Sequence, residues 1–108
     1  MRIISSSKKW DKLQQPEFTT FRYHRADKDW FVGETVQVFF KSRSPQREKL
    51  GVAEIIGRES KLLADLTHEE AIEDGFINLY DMFNWLEQAH KGKDMFTPMN
   101  KLTLRWVG

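Results

Sequence analysis

Residues 17–25 read EFTTFRYHR, and the period of this stretch decides the fold. Taken as a strand, successive side chains point to opposite faces. One face then carries Phe18, Thr20, Arg22 and His24, and the other carries Thr19, Phe21, Tyr23 and Arg25. Neither face is wholly apolar. Hydroxyl and guanidinium groups on an inward strand call for something to touch. Pro16 marks the boundary in front of the strand. Ahead of it, residues 1–16 are polar and predict a short strand or arm followed by a turn or short helix.

Downstream of the strand, ADKDW (26–30) reads as a polar turn and VGETVQVFF (32–40) as a second strand with a half-buried to buried run. KSRSPQREK (41–49) has charges, Ser-Pro and no apolar anchor, the composition of a loop. LGVAEIIGRE (50–59) is a third strand, and SKLLADL (60–66) a fourth strand or irregular link. Thr67 followed three residues later by Glu70 is a capping box for a helix over 68–74, ended by Gly75. Leu79, Met82, Phe83 and Leu86 recur at helical spacing, predicting a second helix over 79–90 with Gly92 as its stop. In KLTLRWV (101–107) Leu102, Leu104 and Trp106 alternate with polar residues, which predicts a closing strand. Strands interrupted by two short helices predict an α+β fold, a small mixed β-barrel of five to six strands with the helices over one opening.

The whole chain, at 108 residues with 40% hydrophobic content, suits one domain with one core. It has no cysteine, so disulfides and thiolate metal sites are excluded, and the cytoplasm is the expected setting. No apolar run approaches the roughly 20 residues of a membrane span. Net charge is only +1, yet it is unevenly laid out. Residues 1–51 hold eleven Lys and Arg against six acids, and 52–108 hold six against ten. Between Asp65 and Glu87 there are seven acids and no Lys or Arg. Such a chain has at most one basic face.

Several groups are candidates for chemistry. Thr20 and Arg22 share a strand face and suit a phosphate or carboxylate, because Arg offers forked donors. Arg22 is expected to be partly buried beside an acid. Lys41, Arg43, Arg47 and Lys49, with Phe39 and Phe40 adjacent and Tyr23 and Trp30 as prospective neighbours, offer cations and ring faces for single-stranded nucleic acid. Glu69, Glu70 and Glu73 fall in early helical turns, which the helix dipole favours. His24, His68 and His90 have no paired metal-ligand spacing, so no metal or other cofactor is expected.

Taken in order, TTFRYHR, FVGETVQVFFKSRS with LGVAEI, and LTHEEAIEDGFINLYDMFNWL with LTLRWV resemble the ASCH domain family, small barrels of the PUA-like superfamily. The resemblance covers about residues 17–107. It implies a cleft between barrel and helices, and RNA or a nucleotide as the partner. A protein-interaction role through the acidic helices is a further alternative.

One subset of similar proteins is made of amidohydrolases that deacetylate acetylated cytidine with a Lys, a Thr and a Glu. By that resemblance the threonine falls on Thr20 and the glutamate on Asp74, while the lysine falls on Glu17. A lysine there would act as base or oxyanion partner, and a carboxylate reverses the charge. The enzyme reading would need a cation from Lys8, Lys9 or Lys12 instead. Binding through Thr20, Arg22, Tyr23, His24 and the 41–49 loop is therefore the leading expectation.

Overall fold

The computed structural model describes residues 1–6, 11–25, 27–42, 44–89 and 96–107. The roles expected of Lys8, Lys9, Arg43, His90 and Gly92, and of the Lys12 side chain, fall outside the described part. The chain is α+β: five strands form one curled, half-closed barrel sheet, and two helices pack on it. In chain order these are β1 (Ile3–Ser6), β2 (Glu17–Tyr23), β3 (Thr35–Phe40), β4 (Glu48–Leu62), α1 (His68–Glu73), α2 (Leu79–Ala89) and β5 (Pro98–Trp106). Among the described residues no helix is long and apolar enough to cross a membrane.

Sheet order is β1-β3-β4-β5-β2, with β1 parallel to β3 and every other pair antiparallel. The curl has a local cause. β4 has 15 residues, about 50 Å if straight, whereas the molecule's longest extent is 34 Å. Two irregularities absorb the excess. The β3–β4 register skips Leu50, and the β4–β5 register skips Ile56. An extra residue on one strand bends it and increases its twist. The outermost strands, β1 and β2, are thereby brought towards one another, and the sheet closes everywhere except at the seam between them.

Two apolar clusters follow from strand alternation. Inside the curl lie Phe18, Val36, Val38, Ile55, Leu102 and Leu104, joined by Ile4 and Trp30. Each such buried side chain contributes about 1.5–3 kcal/mol. On the outer face of β2 and β5, Phe21 and Met99 pack with Leu66, Ala71, Phe76, Met82 and Leu86 of the helical region. Lys101 on β5 donates to Glu70 Oε2 at 2.9 Å, which ties α1 to the sheet.

The boundaries differ from the sequence reading in physically clear ways. β3 begins at Thr35, not Val32, because Gly33 takes φ +95° in a turn and Val32 is exposed. β4 absorbs Glu48 and Lys49 at one end and Ser60–Leu62 at the other, so only residues 41–47 form the loop. Its charged residues are accommodated by cross-strand neighbours such as Lys101 opposite Glu59. β2 ends at Tyr23, and the ADKDW turn buries Trp30 in the inner cluster.

Candidate functional site

At the seam lies a pocket of about 70 Å3, room for a few water molecules at roughly 10–15 Å3 each. β1 supplies Ile4, Ser5 and Ser6, and β2 supplies Phe18, Thr20, Phe21 and Arg22. Asp74 and Phe76 follow α1, while Met82, Trp85 and Leu86 of α2 close one side. Because β2 is an outermost strand, groups from both its faces meet around its rim. Thr20 and Arg22 come from the inside of the curl, and Phe21 comes from the helix side.

Arg22 spans the seam. Its Nε donates to Thr20 Oγ1 at 3.2 Å, and an Nη donates to the Ser5 carbonyl at 2.9 Å, linking β2 to β1. As a residue Arg22 is only half-buried, but its guanidinium head is withdrawn from water. Burial holds its pKa below the ordinary arginine value, and the nearby Asp74 charge pulls the other way. The expectation of a buried arginine beside an acid describes this arrangement.

The turn after α1 sets Asp74. Thr67 accepts from the Glu70 amide and the Glu70 side chain accepts from the Thr67 amide, so the capping box is formed. At the other end Phe76 N donates to Ala71 O at 2.9 Å and Gly75 N to Ile72 O at 3.0 Å. This is the Schellman pattern, and Gly75 supplies its left-handed residue at φ +106°. Asp74, just before the glycine, is 5% exposed and accepts from Thr19 Oγ1 at 3.4 Å. Chemically, the pocket combines a fixed cation, a hydroxyl and a carboxylate with aromatic walls.

The remaining predicted residues lie elsewhere. Tyr23 points to the outer face and packs against the helical cluster. His24 follows the end of β2, is exposed, and donates from Nδ1 to Asp29 Oδ2 at 2.8 Å. Lys41 takes a left-handed φ of 48° and lies 5.3 Å from the Phe40 ring, while Arg47 and Lys49 are exposed. The loop nonetheless borders the seam: Lys41 N donates to Ser6 O at 2.8 Å and Ser42 N to Ser5 Oγ at 3.1 Å. Ser5 therefore touches both Arg22 and the basic loop. Trp30 is core and offers no free ring face to that loop. Glu17 is exposed opposite Arg105 and lies on the other strand face from Thr20. Arg22 is the one cationic side chain among the described residues lining the pocket.

Sequence reasoning overlooked Asp29. Its carboxylate accepts from Trp30 N and Asn100 Nδ2, at 2.9 and 2.8 Å, as well as from His24. Burial works against its charge, but bonds from His24, the Trp30 and Arg25 amides and Asn100 outweigh that and hold its pKa at about 2. Asn100 is 1% exposed and directly opposite Arg22 in the ladder. Nothing local in ADKDW signals an aspartate gathering partners from three strands or turns. Arg2 is a second unforeseen clamp: it pairs with Glu34 and lies 4.3 Å from the Trp30 ring centre. Among the described residues no group of three or more His, Asp or Glu is placed to hold a metal ion.

Compared with protein-family models, curated protein sequences and solved structures, the chain matches none.

Proposed function

We propose that the chain is a binding module for RNA or a nucleotide. The seam pocket takes a base or a phosphate, and the loop after β3 contacts the backbone. The observation that carries this reading is the convergence of Thr20, Arg22 and Asp74 on one apolar-walled pocket whose rim is shared with the basic loop. A guanidinium withdrawn from water forfeits hydration that its bonds only partly restore. Its forked donors suit an anion or a carbonyl-bearing base edge. Phe18, Phe76 and Trp85 supply apolar surface for a flat ring. The sequence resemblance to ASCH domains points the same way.

Anisotropy titrations with short single-stranded RNAs and with free nucleotides test this. Arg47→Ala with Lys49→Ala should lower the log–log salt slope of RNA binding by roughly 1.4 if both touch phosphates. Arg22→Met should abolish binding of the short ligands. An absence of binding to any RNA or nucleotide, or a salt slope unchanged by the double variant, would overturn the proposal.

A further inference from the structure

The outward side of the helical region is apolar and acidic at once. Ile72, Ile77 and Tyr80 are 56%, 81% and 69% exposed. Tyr80 is held in place, with its ring 6.0 Å from that of His68 and edge-on to Phe83 at 6.4 Å. A large apolar ring that is exposed yet held in place gives up little freedom when a partner covers it.

The formal charges around them are all acidic. Glu69, Glu73, Asp81 and Glu87 are exposed, and none forms an ion pair among the described residues. The helix dipole accounts for Glu69 and Asp81, which lie in first turns. It opposes Glu87 in the last turn of α2, and also Glu73, which was expected in an early helical turn but ends the six-residue α1; no basic residue in either last turn offsets them. Two acids therefore stand where the helices disfavour them. From residue 62 to residue 90 the chain contains no Lys or Arg to neutralise them.

We propose that this face docks a Lys- and Arg-rich amphipathic segment of a protein partner. The segment's apolar stripe covers Ile72, Ile77 and Tyr80, and its cations meet the surrounding carboxylates. The same negative field repels nucleic acid and anionic lipid. A second copy offering its basic loop after β3 would make a head-to-tail contact that does not close on itself. The inference stands apart from the seam pocket and does not depend on what binds there.

The test uses the full chain and calorimetry. One probe is a synthetic peptide of about 18 residues, five helical turns, with Leu at helical spacing and Lys elsewhere. A shuffled peptide of the same composition and phosphatidylcholine vesicles are the comparisons. The patterned peptide should bind about tenfold tighter than the shuffled one, and Tyr80→Ser or Ile77→Ser should weaken it by about tenfold. Glu73→Lys with Glu87→Lys should also weaken it and flatten its salt dependence, a second handle should an apolar substitution disturb folding. Equal binding of the shuffled peptide, indifference to all these variants, or partitioning onto the vesicles would overturn the proposal. So would self-association of the protein that Tyr80→Ser abolishes, because the face would then belong to a second copy.

Discussion

Replacing Arg22 by Met keeps most of the apolar stem and removes the cation that spans the seam. Two bonds are lost, to Thr20 Oγ1 at 3.2 Å and to the Ser5 carbonyl at 2.9 Å. Bonds from a charged donor contribute about 1.5–3 kcal/mol each. Against that loss, the guanidinium's own desolvation is relieved, and burial is the largest influence on its pKa. Asp74, 5% exposed, loses a neighbouring positive charge but keeps its bond from Thr19 Oγ1. With the relief of desolvation set against the two lost bonds, the net cost is about 1.5–3 kcal/mol. At about 4 °C per kcal/mol for a domain near one hundred residues, melting should fall by on the order of 6–12 °C. Asp74→Asn removes the carboxylate charge that Arg22 faces. The double variant should therefore be more stable than the two separate losses predict, with a coupling of about 1–3 kcal/mol. Urea unfolding followed by tryptophan fluorescence near neutral pH measures all four proteins. Melting of Arg22→Met indistinguishable from wild type, or additivity within about 0.5 kcal/mol, would refute the reasoning.

Acid should destabilise the fold in a definite window. Asp29 is held at about 2 against an ordinary 3.8, so its contribution is complete above 3.8 and lost as pH falls towards 2; Asp29→Asn should show a shallower acid titration by near-ultraviolet dichroism, and an identical slope would exclude Asp29 as the source. Gly75→Ala should cost about 1–2 kcal/mol in chemical denaturation, since alanine is strained in the left-handed region, and a neutral result would mean that the turn after α1 relaxes. The protein should not deacetylate acetylated cytidine, and Glu17→Lys should not confer that activity, because position 17 is exposed on the strand face opposite Thr20. Chromatographic detection of turnover abolished by Thr20→Ala would reverse that expectation.

Local signals in the sequence were faithful where the physics is local. The Thr67–Glu70 capping box and the Gly75 stop set α1, and the alternation in β2 put Thr20 and Arg22 on one side. Where partners come from afar, the sequence misleads. Glu48 and Lys49 look like loop residues until β3 pairs with them. Trp30 follows a polar turn yet is core, because the inner cluster and the Arg2 guanidinium enclose it. Asp29 gains, beside its local partners, a bond from Asn100, 71 residues away. For the pocket, β2 was legible as a strand with polar inward residues. Its apolar walls from β1 and α2 were not, since no periodicity says which strands end up outermost. His24 shows the limit of alternation: it shares parity with Arg22, but the strand ends before it.

The unclosed seam gives the molecule a mechanical character of its own. β1 and β2 stand at opposite ends of the ladder, while β4 and β5 share its longest pairing. Small opening motions can therefore be taken up at the rim, leaving the spine of the sheet intact, and amide hydrogen exchange should be fastest along the two rim strands. A molecule lodged between them acts as a keystone, joining the parts of the sheet most distant along the hydrogen-bonded ladder. Occupancy at a hundred times the dissociation constant adds about 2.7 kcal/mol to stability. Slower exchange at Ser5 and Arg22, together with a raised melting point, would then report a seated ligand whatever its chemistry.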